Sequence, residues 1–363
     1  MTTRRPNSLR LLALALCLLA AALAPSQAAA AKTGAKAPRS HNHGLYWGAW
    51  IGDQITGEAA PWDMGAVNRF SRAVGKRLSV VAFAAPLAEC DGGSCEFPSF
   101  PTDPMQTIRD YGAIPLLSWS TSATPTYVDA PDFQLSDVIA GRYDAYIHRF
   151  ASEAASWGRP FFLRFNWEMN GNWFPWAEGV NGNRSGQFVN AWRHVHRIFD
   201  AAGASNATWV WCPYANTRGR YGNLASYYPG NRYVDWTCLD GYNFAGSPVN
   251  PRPWQRFDAL FRPAYRVLTT KIARRKPVLL GEIASAGAPR RKAVWIREMF
   301  NRLPHRYPRI GGLVWFDQFD RGLRWPIEID GPARKAFRSG LRGGRFLGSR
   351  FSRLSATPIP MPR

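Results

Sequence analysis

The sequence predicts an α/β protein whose single main domain is a closed (β/α)₈ barrel, also called a TIM barrel. Eight short apolar runs are mostly separated by segments with helical periodicity, which is typical of parallel βα units. Polar and aromatic residues collect at the carboxyl ends of these runs, where such a barrel places its active site. An open doubly wound sheet is the rival, but no glycine-rich phosphate loop follows the first run, which argues against its nucleotide-binding version.

The predicted strands are short runs rich in branched aliphatic and aromatic residues, bounded by glycine, proline or polar residues. In chain order they cover 43–50, 78–84, 113–119, 160–165, 208–214, 236–243, 277–282 and 312–317. The amphipathic segments between or after them predict helices over 61–76, 103–110, 136–157, 185–202, 254–273, 292–302 and 333–341. Pro61 suits the first turn of the first helix, where its missing N–H costs nothing. No internal repeat or shift of composition divides this domain.

The N-terminal segment has the pattern of a secretory signal peptide. Arg4, Arg5 and Arg10 precede an apolar Leu and Ala run over 11–23, and small residues follow as far as Ala31. The run is too short for a stable membrane span. The sequence therefore predicts a signal peptide over 1–31, a linker over 32–40, the main domain over 41–342 and an extracellular location.

A large positive charge characterises the chain. With 363 residues and 46% hydrophobic residues it can bury a large core, and its formal net charge of +21 draws it toward polyanions. The segment 331–363 holds eight Lys or Arg and no acidic residue. The sequence predicts that 343–363 is a solvated, disordered basic tail, and a tail that contacts an anionic cell-wall polymer is the alternative. We expect a monomer with no specific nucleic-acid contact.

Five cysteines are present, and Cys17 lies in the predicted signal peptide. The remaining four form an even set, which in an exported protein favours disulfides. Cys90 and Cys95 would close the short loop between them, and Cys212 would pair with Cys238. A zinc site needs a tighter pair spacing, so we expect no metal.

The stretch 159–176, RPFFLRFNWEMNGNWFPW, is the most informative part of the sequence. A buried apolar strand ends there in polar residues, and Glu168 stands at its carboxyl end among tryptophans and asparagines. Indole faces stack on the C–H face of a sugar ring, while amides and carboxylates pair with its hydroxyls. The alternative is a structural Glu with core tryptophans around it.

A second carboxyl group, that of Glu282, ends the predicted seventh strand. In a barrel the ends of strands four and seven face each other across the mouth. Hydrolysis of a glycosidic bond needs one protonated carboxyl group as acid and one ionised group, so this pair predicts a glycoside hydrolase. Tyr242, at the end of strand six, could donate a hydrogen bond that keeps the nucleophile ionised. Pairing of Glu282 with an arginine is the structural alternative.

These residues resemble those of glycoside hydrolase family 26. The family's β-mannanases carry H-E-x-x-G-x-W at strand four, and WEMNGNW at 167–173 is similar to it. KPVLLGE at 276–282 is similar to the strand-seven motif, Asp240 and Tyr242 to the family's strand-six Asp and Tyr, and Trp315 to its strand-eight Trp. The likeness extends from about residue 41 to residue 331.

The resemblance implies a role for each matched residue. Glu168 is the implied general acid/base, Glu282 the nucleophile, and Tyr242 the residue that orients it. Trp173 and Trp315 are implied sugar-contacting platforms, and Asp240 an implied substrate-binding residue. The implied reaction is retaining hydrolysis of a β-linked polysaccharide without a metal or cofactor.

One departure from the family pattern bears on the substrate. The residue before the acid/base is usually His in the family and is Trp167 here; the wider clan has Asn at that place, and Asn166 lies one position earlier. We therefore assign Trp167 and Asn166 as candidate contacts to the sugar at the cleavage point. The motifs favour an endo-β-1,4-mannanase; a mixed-linkage β-glucanase, a β-1,3-xylanase and an inactive carbohydrate-binding barrel are the alternatives.

Overall fold

A computed structural model of the chain describes residues 43–219 and 222–362. It confirms the predicted (β/α)₈ barrel: eight parallel strands form a closed ring, in which the first strand pairs with both the second and the eighth. The strands are β1 (Leu45–Ile51), β2 (Val80–Ala85), β3 (Ile114–Trp119), β4 (Phe161–Phe165), β5 (Ala207–Trp211), β6 (Trp236–Asn243), β7 (Val278–Ser285) and β8 (Ile310–Asp317).

The helices cover the outside of the ring. They are α1 (Met64–Val74), α2 (Thr102–Tyr111), α3 (Leu135–Ile139), α4 (Asp144–Trp157), α5 (Gln187–Ala201), α6 (Phe257–Val267), α7 (Pro289–Arg306) and α8 (Gly331–Gly340). The single helix predicted over 136–157 is two helices, because Gly141 lies between them with φ +84°. Between β5 and β6 the described residues form only short 3₁₀ turns, at Leu224–Tyr227 and Asn231–Tyr233.

Alternation along each strand divides the buried residues into two sets. On β4, Phe162 packs with the residues inside the ring, whereas Phe161, Leu163 and Phe165 pack with the helices outside. Because successive strand residues point to opposite faces, the residue at position 164 also points inward. This parity decides which polar residues of the strands can reach the site.

The predicted disorder is wrong for residues 343–362, which the structure describes. Phe346–Leu347 adds a short parallel strand to β1, and the following residues pack against the inner set through Phe351, Leu354, Ile359 and Met361. The Trp236 indole N–H donates to the carbonyl oxygen of Ile359 at 2.8 Å. The segment therefore covers the amino-terminal end of the barrel. The described part of the domain therefore continues to residue 362.

Both predicted disulfides are formed. Cys90–Cys95 joins the two strands of a small hairpin that follows β2, at Ala88–Asp91 and Ser94–Glu96. Cys212–Cys238 links the chain after β5 to β6 inside the ring, where both cysteines are fully buried.

The predicted signal peptide and linker lie outside the described residues. Among residues 43–219 and 222–362, no helix combines the length and the apolar character that crossing a bilayer requires.

Candidate active site

Glu168 stands in a tight turn immediately after β4. Asn166 and Glu168 both have left-handed backbone conformations, with φ of 41° and 53°, which side chains other than glycine rarely adopt. Side-chain bonds compensate for this cost: Asn166 Oδ1 accepts from the N–H of Thr121 and its Nδ2 donates to Thr121 Oγ1, both at 2.8 Å. The N–H of Glu168 also donates to the carbonyl oxygen of Cys212 at 2.7 Å. The turn thereby fixes the Glu168 carboxyl group at the carboxyl end of the barrel.

Glu282 reaches the barrel interior through an irregularity in β7. The register with β6 shifts between Leu280 and Glu282, and such a bulge re-aims the side chain that follows it. Gly281 is needed there, because a Cβ at this position would lie 2.4 Å from the Sγ of Cys238 and 2.7 Å from Oδ1 of Asp240. Glu282 accepts hydrogen bonds from the Arg164 guanidinium and from the Tyr242 hydroxyl.

Arg164 is the functional residue that sequence reasoning missed. It is fully buried, and its guanidinium donates to Ser118 Oγ and Asp240 Oδ2, both at 2.8 Å, as well as to Glu282. The available signal was a lone charged residue within an apolar strand, at a position with the same parity as Phe162. A buried cation at such a position must be paired, and its partners are the carboxylates of the site.

The two Glu carboxyl groups lie in different environments. Glu168 is 6% exposed, and burial followed by the negative charge of Glu282 raises its pKa, while the Trp173 N–H opposes that rise. Glu282 is 7% exposed and accepts hydrogen bonds from a guanidinium and a hydroxyl. Burial and the nearby carboxylates raise the pKa of Tyr242, so this hydroxyl stays a neutral donor. A carboxyl group with a raised pKa therefore lies beside one that is bound by an arginine and a tyrosine.

Aromatic residues border the two carboxyl groups. Trp173 is 40% exposed, and its indole N–H donates to Oε2 of Glu168 at 2.5 Å. The half-buried Trp167 has its ring 5.0 Å from the Arg164 guanidinium carbon and also packs against Phe174 and Trp176. Trp173 therefore presents both a free aromatic surface and a hydrogen bond to the same carboxyl group.

The structure buries three of the residues that were predicted to contact the substrate. Trp315 points out of the barrel: it is 0% exposed, packs against Trp295 and Phe337, and donates to the Trp325 carbonyl oxygen at 3.2 Å. Asp240 has no exposed surface and binds Arg164, and burial raises its pKa against the effect of that guanidinium. Asn166 is also fully buried, and both ends of its amide bind Thr121. These side chains support the site without an accessible face for a sugar.

The ring of Tyr242 is enclosed by aromatic residues that carried no sequence motif. Phe316 contacts it edge-on at a centroid distance of 5.5 Å, and Trp325 packs against it at 5.3 Å. Trp325 lies in the loop after β8 and is 1% exposed. These contacts leave the Tyr242 ring little freedom, so its hydroxyl is held in place against Glu282.

Two cysteine sulfurs and a carboxylate lie close enough together to suggest a metal site, at Cys212, Cys238 and Asp240. The cysteines are joined in a disulfide, however, and a disulfide lacks the thiolates that bind a metal ion. The site chemistry therefore rests on carboxyl groups, a guanidinium and a phenol.

A parallel eight-stranded barrel with two facing carboxyl groups on its fourth and seventh strands is the architecture of a class of glycoside hydrolases. The family model described as Glycosyl hydrolase family 26 matches residues 116–278, which run from β3 to the start of β7. The chain belongs to this family.

Individual relatives agree with this assignment. Endoglucanase H of Acetivibrio thermocellus is 30% identical over 314 residues, which are 84% of this chain and 31% of that protein. β-1,3-Xylanase TXYA of a Vibrio species is 28% identical over 189 residues, 49% of this chain and 36% of that protein. This chain thus spans about a third of the length of these two relatives.

Among solved structures, the catalytic domain of an endo-β-1,4-mannanase of family 26 from Bacillus sp. JAMB-750 superimposes with a TM-score of 0.64. The two sequences are 16% identical, and the match covers 86% of this chain and 89% of that one. At this identity the likeness supports the fold alone.

Proposed function

We propose that this protein is a secreted, endo-acting hydrolase that cleaves β-linked polysaccharide with retention of configuration. The observation that carries the proposal is the contrast between two neighbouring carboxyl groups. Glu282 is held by Arg164 and Tyr242, whereas burial and the charge of Glu282 raise the pKa of Glu168. Two buried disulfide cysteines within the barrel are consistent with an oxidising location.

In the proposed mechanism Glu168 donates a proton to the leaving glycosidic oxygen while Glu282 attacks the anomeric carbon. The C–O bond to the leaving group breaks, and a covalent glycosyl ester forms on Glu282. Glu168, now ionised, then removes a proton from water, which attacks the ester and releases the sugar with its original configuration. During the first step Arg164 and Tyr242 each hold one oxygen of the attacking carboxylate in place, and Trp173 holds the proton donor.

For the substrate, the linked motifs of strands four, six and seven favour β-1,4-mannan. A second candidate, β-glucan, is favoured by two observations. The relative that matches over 84% of the chain is named an endoglucanase, and Trp167 replaces the His that precedes the acid/base in the family's mannanases. An imidazole offers both a donor and an acceptor to a sugar hydroxyl, whereas an indole offers only a donor. The 2-hydroxyl distinguishes manno from gluco sugars. The residue proposed to contact it, Trp167, therefore offers different hydrogen bonds from the His of the family's mannanases.

A substrate panel tests the proposal. The purified protein and its Glu282→Ala variant are incubated with β-mannan, mixed-linkage β-glucan and β-1,3-xylan, and new reducing ends are measured. We expect one polysaccharide to be cut by the native protein, with a loss of at least about a thousandfold in Glu282→Ala. Binding of a polysaccharide without any cleavage would instead identify a carbohydrate-binding barrel, and equal activity of the variant would refute the nucleophile assignment.

A further inference from the structure

A buried lysine outside the catalytic pair holds the loop that packs behind Tyr242. Lys292, in the first turn of α7, is 1% exposed, and its ammonium group donates to three consecutive carbonyl oxygens. The distances are 3.1 Å to Arg324, 2.9 Å to Trp325 and 2.7 Å to Pro326. All three N–H donors of the ammonium group are thereby used on one short stretch of backbone.

The same stretch is fixed from the side of β8. The Trp315 indole N–H donates to the Trp325 carbonyl oxygen, which is also an acceptor of Lys292, and the N–H of Ile327 donates to Asp317 Oδ1 at 2.8 Å. Gln54 bridges the Asp317 and Glu328 carboxyl groups at 3.3 and 3.2 Å. Residues 324–328 are therefore held by side chains of α7 and β8 and of the loop after β1.

The charges around the ammonium group are mixed. The carboxyl groups of Asp317, Asp330 and Glu328 face it, as does the Arg324 guanidinium. Burial lowers the pKa of Lys292, and the three carboxyl groups oppose that fall. The three backbone bonds explain why a lysine is placed there despite this burial. An apolar side chain would remove a donor from all three carbonyl oxygens and leave that of Trp325 with only the Trp315 N–H.

The 324–328 loop contacts the site through the ring of Trp325. The backbone of Trp325 is held by Lys292 and Trp315, and its side chain packs on Tyr242 at 5.3 Å and on Phe244 at 5.5 Å. Tyr242 in turn donates its hydroxyl to Glu282. Phe316 contacts Tyr242 edge-on, so Trp325 completes the enclosure of the phenol ring.

We propose that Lys292 is a positioning residue for the nucleophile: it fixes the 324–326 backbone, and the Trp325 ring then holds the Tyr242 hydroxyl against Glu282. The inference rests on the nucleophile role proposed for Glu282. It assigns to Lys292 no contact with substrate. A lysine that only anchored the loop would contribute to stability and leave the kinetics of the folded protein unchanged.

The test is a double-mutant cycle between Lys292→Met and Tyr242→Phe, measured as kcat and KM on the polysaccharide that the native protein cuts best. Loss of the hydroxyl bond leaves the attacking carboxylate less firmly oriented, so each single variant should lower kcat more than it changes KM. We expect Lys292→Met to lower kcat roughly tenfold to a hundredfold, with a smaller change in KM. In the Tyr242→Phe background, Lys292→Met should lower kcat by less than a further factor of about two, because the two residues act as one unit.

Lys76 provides a matched control. Its ammonium group also donates to loop carbonyl oxygens, those of Leu341 and Gly343, at 3.2 and 2.8 Å, but that loop has no part in the site. Lys76→Met should leave kcat and KM within about twofold of the native values. Thermal unfolding of each variant establishes that the folded protein is being compared.

Two results would overturn the inference: a native kcat in folded Lys292→Met, or effects of Lys292→Met and Tyr242→Phe that multiply in the double variant. If Lys292→Met does not fold, Trp325→Leu takes its place in the cycle, because it removes the ring and leaves the backbone bonds of Lys292 in place. Full activity of Glu282→Ala would instead refute the proposed nucleophile. Because that result comes from a separate variant, it can be distinguished from a failure of the role proposed for Lys292.

Discussion

At the scale of single residues, Trp173 has two roles in the site. Its ring is exposed enough to stack on a sugar, and its N–H binds the oxygen of the proposed acid at 2.5 Å. That bond favours the ionised form and so acts against the burial and charge that raise the pKa of Glu168. The indole therefore keeps the carboxyl group from becoming too weak an acid to give up its proton.

This predicts a shift of the pH profile in Trp173→Phe, which keeps an aromatic face and removes the donor. The pKa of Glu168 should rise further, so the basic limb of kcat/KM, which reports loss of the acid's proton, should move to higher pH. The measurement is kcat/KM between pH 4 and 10, with Trp62→Phe, an exposed tryptophan that contacts Phe83, as the control. A basic limb that moves to lower pH would contradict the direction assigned to this bond.

Arg164 shows why some of the site was hidden in the sequence. Its neighbours along the chain are apolar, and its partners Ser118, Asp240 and Glu282 come from three other strands. The two Glu residues could be predicted because each follows an apolar run that is recognisable as a strand. The Arg164 contacts depend on closure of the ring and on side-chain parity, which a single sequence shows only indirectly.

At the scale of elements, the shape of β7 depends on the side chains that pack against it inside the barrel. The bulge at Glu282 and the absence of a side chain at Gly281 make room for the Cys212–Cys238 disulfide and for Asp240. The strand was predicted from its apolar run, and its end was predicted to carry a catalytic group. The bulge was not, because register shifts follow from the packing of neighbouring strands.

Gly281→Ala should therefore be disruptive although alanine is small. A Cβ at this position would lie 2.4 Å from Cys238 Sγ, so the strand or the disulfide must move. We expect the free energy of unfolding to fall by about 1–3 kcal/mol. Gly331→Ala is the matched control, since a Cβ there meets no atom within 4 Å. Denaturant unfolding of both variants gives the comparison, and equal stability would refute the packing account.

At the scale of the whole molecule, the C-terminal segment completes the barrel. Its high Gly, Ser and Pro content and its lack of acidic residues are typical of disorder, and its apolar residues follow neither a helical nor a strand period. Those residues nevertheless fit the open amino-terminal end of the ring, where Tyr46 and Trp236 donate to the carbonyl oxygens of Pro360 and Ile359. The need for this cover appears only once eight strands have closed.

Ile359→Ala measures how much this cover contributes. Ile359 is 1% exposed and packs in the inner set of residues, and its N–H donates to Thr208 Oγ1 at 2.9 Å. We expect a loss of about 2–5 kcal/mol in the free energy of unfolding, in the range of other buried large-to-small changes. Ser355→Ala, at an exposed position of the same segment, should change it by less than about 0.5 kcal/mol. Equal effects of the two changes would mean that the segment contributes little.

The proposed double displacement makes the covalent ester on Glu282 the most direct test of the account. The protein is incubated with an activated 2-deoxy-2-fluoro-β-glycoside of the sugar that it hydrolyses, and the labelled peptide is identified by mass spectrometry. We expect one sugar per protein, attached to Glu282. Attachment to Glu168 or to another residue would contradict the assignment of nucleophile and acid.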